Sequence, residues 1–433
     1  MSVSRPWVRR GYSAVLYLLA PLIWHRVWRE QLAGRPRRER LGLIPPSGMV
    51  ERTLWLHCAS VGEVQAAHPL IEALGERLPD HRLVITTMTA TGAERVLALA
   101  GNPQISRVRG EVSHHFVPLD FPGAARRFVA RLRPELAIFF ETELWPNLLA
   151  ACDRSGVPVA VVNGRLSPRA FRGYHRLRPL MEEALSHVAW LAAKSEDDAQ
   201  RFADLGMSGE RTSVVGSLKF DIGPSEEAQK VSEYLQTKLG PRPVWVAGST
   251  HPGEDEQVLA AHARLRERLS DALLVLVPRH PRRFDAVAAL CRQAGMRLSR
   301  RSRDEWPGDE TAIYLGDTMG ELLALYGAAD LAFVGGSLVP IGGHNLLEPA
   351  ALGIPVLTGP ALANFEDVAE VMREAGALVE VDDAETLAAE LLRLFGDREE
   401  CQRLAVAGRG VVADNRGALA RTMEGLKSLL HAK

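Results

Sequence analysis

Apolar residues along this chain gather into short continuous runs, separated by longer stretches in which they recur at helical spacing. Thr53–His57, Leu83–Thr87, Leu136–Phe140 and Val157–Val162 read as strands, because short apolar runs of this kind suit strands buried on both faces. The stretches between them, such as Val64–Leu78, carry the helical period, and strand–helix alternation implies a parallel sheet covered by helices. A second set follows at Val244–Ala247, Leu273–Val277, Ala312–Leu315, Leu331–Val334 and Val356–Thr358. Between the sets, residues 223–240 are polar, contain Pro224 and run into Gly240-Pro-Arg-Pro243, which reads as a helix-bearing connector. The expected organisation is α/β, with an N-terminal segment 1–45, a Rossmann-like lobe 46–222, the connector 223–240, a second Rossmann-like lobe 241–415 and a C-terminal helix within 416–433. Ligands of such sheets bind beyond the carboxyl ends of the strands, so the loops after the strands are where chemistry is sought.

Composition narrows the function classes. At 433 residues the chain is long enough for two or three cores, and 46% hydrophobic with 24% charged residues is ordinary for a globular protein. A formal net charge of -1 argues against a general nucleic-acid binder, which needs a large cationic excess. Cys58, Cys152, Cys291 and Cys401 are far apart, with no C-x-x-C pair, and read as reduced thiols. Charge is uneven only at the N-terminus, where Arg5, Arg9 and Arg10 precede the apolar run Tyr12–Trp24 and Arg26, Arg29, Arg35, Arg37, Arg38 and Arg40 follow it. That run is shorter than the roughly 20 residues a spanning helix needs. Basic flanks and edge aromatics suit a helix lying in the interface of an anionic membrane; a helix packed on the body is the alternative. Oligomeric state is not legible.

Several strand ends carry candidate chemistry. Phe333–Pro360 reads as strand, glycine-rich turn, helix opening near Asn345 and strand, placing backbone N–H groups and Glu348 where phosphate and ribose could dock. His57-Cys-Ala-Ser-Val-Gly-Glu63 puts a carboxylate at the first strand end. Glu63 fits either a general base or the return partner of a capping box with Ser60. Glu141-Thr-Glu-Leu-Trp-Pro146 puts Glu141 and Glu143 at another strand end, one expected toward the site and one structural, with Trp145 a packing residue and Pro146 a helix start. Lys219 is a candidate cation for leaving-group charge, with Asp221 a possible partner. In the second lobe, Gly248-Ser-Thr-His-Pro-Gly253, Pro278-Arg-His-Pro281 and Gly316-Asp-Thr-Met-Gly-Glu-Leu322 follow strands. Arg279 could bind phosphate or carboxylate, His251 and His280 read as ligands or turn residues, and Asp317 or Thr318 as a helix cap. No Asp-x-Asp pair and no metal-ligand spacing occurs, so no protein-bound metal or cofactor is expected. The Gly-x-Gly-x-x-Gly and Gly-Lys-Ser/Thr signatures are also absent, which weakens dehydrogenase and ATPase readings.

Together, Ser60-Val-Gly-Glu63, Glu141-Thr-Glu-Leu-Trp-Pro146, Gly216-Ser-Leu-Lys-Phe-Asp221, Val277-Pro-Arg-His280, Gly316-Asp-Thr-Met-Gly-Glu321 and Gly342-Gly-His-Asn-Leu-Leu-Glu-Pro349 resemble, in order, the motifs of the 3-deoxy-D-manno-octulosonic acid (Kdo) transferases. The resemblance implies a GT-B glycosyltransferase fold with an interdomain cleft, attachment to the cytoplasmic face of the inner membrane, CMP-Kdo as donor and a tetraacylated lipid A precursor as acceptor. It implies Glu63 as catalytic base and Glu141 and Lys219 as transition-state stabilisers. CMP contacts would fall to Pro278, Arg279, Met319, Gly320, Glu321, Asn345, Leu346, Leu347 and Glu348. Cys58 stands where a smaller residue is usual, and Leu346 where proline is frequent. Two other classes share features: a nucleotide-sugar epimerase of the same architecture, which needs no membrane-seeking N-terminus, and a non-catalytic membrane scaffold that binds nucleotide through the second lobe.

Overall fold

Two parallel sheets organise the chain, as seen in a computed structural model that describes residues 6–29, 37–47, 52–100, 112–221, 223 and 226–431. Contacts divide it into two compact units, residues 1–221 with 416–433, and residues 222–415. The first sheet contains β1 (Arg52–His57), β2 (His81–Thr87), β3 (Val112–Phe116), β4 (Leu136–Phe140), β5 (Val159–Gly164), β6 (Trp190–Ala193) and β7 (Thr212–Val214). Their spatial order is β3-β2-β1-β4-β5-β6-β7, with every pair parallel. The second contains β8 (Val244–Thr250), β9 (Leu273–Pro278), β10 (Leu298–Arg300), β11 (Ile313–Leu315), β12 (Leu331–Val334), β13 (Val356–Thr358) and β14 (Leu378–Glu380). Its order is β10-β11-β9-β8-β12-β13-β14, again parallel throughout. Strand order therefore reverses between β1 and β4 in one sheet and between β8 and β12 in the other.

Side-chain alternation explains why the central strands read as unbroken apolar runs. Leu54 and Leu56 of β1 enter one core layer with Ile138 and Phe140 of β4, while Trp55 enters the opposite layer with Ala137 and Phe139. Both faces are covered, so neither set of positions can be polar. The C-terminal helix Ala418–His431 contributes Ala418, Met423 and Leu426 to the layer containing Leu54 and thus belongs to the first unit. Asp221 fastens it there: its carboxylate accepts the Gly417 N–H at 2.7 Å and the Leu419 N–H at 2.6 Å. That satisfies two donors at a helix start that would otherwise lack partners.

The N-terminal segment splits differently from the sequence expectation. Helices Pro6–Leu18 and Ala20–Arg29 precede a body that begins by Arg37. Arg40, counted above as a basic flank, is fully buried. It donates to the carbonyls of Val117 at 3.2 Å and Met88 at 2.5 Å and lies over the Phe116 ring. Glu39 and Ile44 are buried with it, so residues 37–47 are part of the first unit. Arg5 and Arg35 lie outside the described residues. The first helix packs Val8 and Tyr12 against the core and is fastened by polar contacts: Arg9 Nε pairs with Glu183 at 2.6 Å and Ser13 Oγ donates to Asn147 at 3.1 Å. Trp7, Leu18, Leu22 and Trp28 remain 68%, 81%, 69% and 69% exposed, so docking leaves an apolar surface facing outward. Among the described residues no helix is long and apolar enough to cross a membrane. The connector carries its expected helix, Glu226–Leu239, and groups with the second unit.

Replacing Asp221 by Ala leaves two helix-start N–H groups without their acceptor. The expected cost is about 1–2 kcal/mol, read as a lower urea midpoint and faster proteolysis within residues 416–431.

Candidate active site

The reversal between β1 and β4 brings the first group of candidates together. After β1 the chain turns through Ala59 and Ser60 into the helix Val61–Ala66, and Ser60 Oγ accepts the Glu63 N–H at 3.3 Å. Glu63 folds back, accepting the Ala59 N–H at 2.7 Å and the Ser60 hydroxyl at 3.1 Å. The capping arrangement is present, but it engages the N–H of Ala59 rather than that of Ser60. Burial is the largest influence on Glu63 and raises its pKa to about 7; the Ala59 N–H and Ser60 pull it down, while Glu143 and Glu141 push it up. A base with this affinity suits proton abstraction near neutral pH. Being a cap and being a poised base are therefore compatible.

Glu141 follows β4 with φ +60, a left-handed conformation that a non-glycine residue holds only under constraint. Its N–H is tied to the Val162 carbonyl at 2.9 Å. Glu143 has the structural part: it accepts the Trp145 indole N–H at 2.7 Å and lies 3.7 Å from the buried His57 ring. Burial raises its pKa, yet His57 and Trp145 outweigh that and hold it below the ordinary value. Trp145 packs on the core and also positions a carboxylate. Cys58 is fully buried, and its thiol is pushed far up by burial and by Glu63, Glu141 and Glu143, so it is an inert core group. Lys219 is half-buried in the short turn Leu218–Phe220 of the same unit, its N–H directed to Ser217 Oγ at 3.4 Å. Asp221 serves the C-terminal helix.

In the second unit the reversal between β8 and β12 does the equivalent work, and its organiser is a residue the sequence reading missed. Glu254 is fully buried between the loops that follow the two strands. One carboxylate oxygen accepts the N–H groups of His251 at 3.0 Å and Gly336 at 2.7 Å; the other accepts those of Ser337 and Leu338, each at 2.9 Å. The signal was available, since Glu254 stands three residues after a turn residue at a strand end, as Glu63 does after Ser60. The glycine-rich loop is further closed by Ser337, which accepts the Gly359 N–H at 2.8 Å; a Cβ on Gly359 would lie 2.4 Å from the Ser337 carbonyl group.

Around this frame the nucleotide candidates fall into place unequally. Arg279 extends β9 with its N–H on the Thr250 carbonyl at 3.0 Å. Glu348 is raised by burial and held down by its hydrogen bond to Asn345 and by the charge of Arg279, which brings those three into one neighbourhood. Asn345 donates to Glu348 at 3.2 Å and accepts the Leu347 N–H at 3.2 Å, bracing the start of the helix Leu347–Leu352, whose cap position is Leu346. Leu346 and Leu347 have fully buried side chains, leaving only their backbone for a ligand. Met319 is 62% exposed. Gly320 turns the chain at φ +87. Glu321 is fixed by Arg301 at 2.9 Å and by Thr318. Neither Asp317 nor Thr318 is the expected cap of the helix Leu322–Gly327: Arg300 at 2.6 Å and the Ser302 N–H at 2.7 Å occupy the Asp317 carboxylate, and the Thr318 hydroxyl donates to Glu321.

Comparison with known proteins places these features in a family. Residues 35–222 match the family model described as 3-Deoxy-D-manno-octulosonic-acid transferase (kdotransferase), and residues 255–411 match Glycosyl transferases group 1. The chain is 37% identical to the 3-deoxy-D-manno-octulosonic acid transferase of Haemophilus influenzae, over 97% of this chain and 98% of that one. It is 38% identical to the enzyme of the same name from Bordetella pertussis, over 98% and 99%. Among solved structures it resembles the UDP-GlcNAc 2-epimerase of Neisseria meningitidis bound to UDP-GlcNAc, with TM-score 0.56 and 14% identity over 87% of this chain and 100% of that one. At that identity the likeness shows the two-sheet GT-B fold alone. It explains why an epimerase reading arises from architecture while the sequence relatives are transferases.

Glu254 offers a direct check on the second-unit frame. Glu254→Ala should destabilise by about 3 kcal/mol, because four buried N–H groups lose their acceptor. Glu254→Gln, which turns an amide toward some of those donors, should fall between it and the native protein in urea unfolding.

Proposed function

This chain belongs to the Kdo transferase family, and from that membership we propose that it moves Kdo from CMP-Kdo to a sugar hydroxyl of a tetraacylated lipid A precursor, with inversion at the anomeric carbon. It is a glycosyltransferase of lipopolysaccharide biosynthesis. In the proposed step Glu63 takes the proton of the acceptor hydroxyl. The hydroxyl oxygen bonds to the anomeric carbon, and the bond from that carbon to the phosphate oxygen breaks with its electron pair leaving on CMP. Glu141 and Lys219 steady the transition state from the first unit. In the second unit Arg279 meets the departing phosphate, and Pro278, Met319, Gly320, Glu321, Asn345, Leu346, Leu347 and Glu348 hold the nucleotide. No metal is invoked. The observation that carries the reading is a half-buried carboxylate at the β1–β4 switch point whose pKa is raised to about 7 beside a strained second carboxylate.

The N-terminal helices are proposed to rest on the cytoplasmic face of the inner membrane. The support is a helix pair pinned to the body through Arg9 and Ser13 that shows Trp7, Leu18, Leu22 and Trp28 outward, with Arg10, Arg26 and Arg29 exposed nearby.

Glu63→Gln should abolish transfer while the protein still unfolds cooperatively; full activity in that variant would remove Glu63 as base. In the native protein the rate should fall as pH drops through about 7, as the base is protonated. The stability effect has the opposite sense: a raised carboxylate pKa means that ionisation costs stability as pH rises from about 4.5 to about 7. Glu63→Gln should lack that decline in urea midpoint. For the membrane reading, changing Trp7, Leu18 and Leu22 together to Ser should lower recovery on anionic vesicles at least several-fold. Unchanged recovery would remove the helix pair as the contact.

A further inference from the structure

Three imidazoles of the second unit have no part in the chemistry above. His251 follows β8, His280 follows β9, and His344 belongs to the glycine-rich loop after β12. The Nε2 atoms of His251 and His344 are 2.8 Å apart, with the rings within 10° of parallel, and His280 stands edge-on to His251 at 5.4 Å. At that separation one nitrogen carries the hydrogen and the other offers its lone pair, so a single proton is held between the two rings. The backbone is shaped for this contact. Gly336 has φ +72, and a Cβ there would lie 2.9 Å from the His344 ring. Gly343 donates its N–H to the Gly336 carbonyl at 2.8 Å, closing the loop beneath the ring.

The surroundings are cationic. The charged and titratable groups acting on His251 are Glu254, His280, Arg283 and Arg279; those acting on His344 are Arg279, His251 and His280. Glu254 is the carboxylate of this set, and its oxygens are committed to four backbone N–H groups. Burial first, then the neighbouring cations, lower His280 and bring His344 down to about 4; on His251 burial and the cations together outweigh the upward pull of Glu254. The pair is thus neutral and embedded among cations, a setting that an anion arriving against the rings would reverse by favouring the protonated form.

We propose that the His251–His344 pair is an anion-binding element that takes up one proton when an anionic oxygen of the nucleotide donor or product docks against it. The ligand chemistry is a phosphate or carboxylate oxygen, and CMP-Kdo carries both. Protonation gives both rings an N–H to offer, converting a closed imidazole pair into a receptor. This rests on the nucleotide reading of the second unit and adds residues that the family motifs above leave without a role.

Calorimetric titration in two buffers of different ionisation enthalpy, at about pH 6.5, counts the protons taken up with CMP, with Kdo and with cytidine. Relative to His344→Asn, the native protein should take up additional protons, a fraction approaching one, with CMP or with Kdo and none with cytidine. The arm that shows the excess identifies phosphate or carboxylate. CMP binding with equal proton counts in native protein and variant, and no excess with Kdo, would overturn the role of the pair. Absence of any CMP or cytidine binding would remove the nucleotide reading and this inference with it. Nitrogen-15 spectra of the native histidine rings provide the check that needs no substitution: CMP or Kdo should shift two rings toward the imidazolium form, and unchanged rings at saturation would contradict the proposal.

Discussion

A parallel sheet whose helices cover both faces must reverse its strand order somewhere, and at that place adjacent loops run to opposite faces and leave backbone exposed between them. This chain meets the constraint twice, between β1 and β4 and between β8 and β12. Several of the candidate residues stand there, while Lys219 follows β7 and Arg279 follows β9. Glu63 and Glu141 follow β1 and β4, while His251, Glu254 and the glycine-rich turn follow β8 and β12. The unbroken apolar strands on either side are what hold these loop origins in register, since both faces of each central strand are buried.

Carboxylates at the loop origins do different work according to how many hydrogen-bond donors they meet. Glu254 meets four backbone N–H groups and becomes a structural knot. Asp221 meets two and clamps a helix. Glu63 meets one N–H and one hydroxyl in a half-buried site shared with two other carboxylates, so its proton affinity rises into the range useful to a base. The same side chain type is thus a fastener or a proton acceptor of near-neutral affinity according to local donor supply.

Much of this was legible in the residues. The central strands announced themselves as apolar runs, and the motifs at their ends pointed to Glu63, Glu141, Arg279 and Glu348. The short strands β3, β6, β7, β10 and β14 did not. Val112–Phe116 carries Ser113, His114 and His115, and Thr212–Val214 is only three residues long and partly exposed, so neither produces a continuous apolar signal. Arg40 looked like a membrane-facing base because burial of a guanidinium depends on carbonyls from distant loops, which no local pattern reveals. Asp317 looked like a cap because the competing partners, Arg300 and Ser302, come from another strand end. Glu254 escaped notice for the related reason that three of its four donors lie more than eighty positions along the chain.

Family membership, the switch-point carboxylate and the nucleotide-side frame converge on one transfer reaction, and the most direct test is to weigh its product. Incubated with CMP-Kdo and a tetraacylated lipid A precursor, the protein should raise the lipid's mass by a whole number of Kdo residues, with one CMP released for each. Binding or hydrolysis of CMP-Kdo that leaves the lipid mass unchanged would contradict the account.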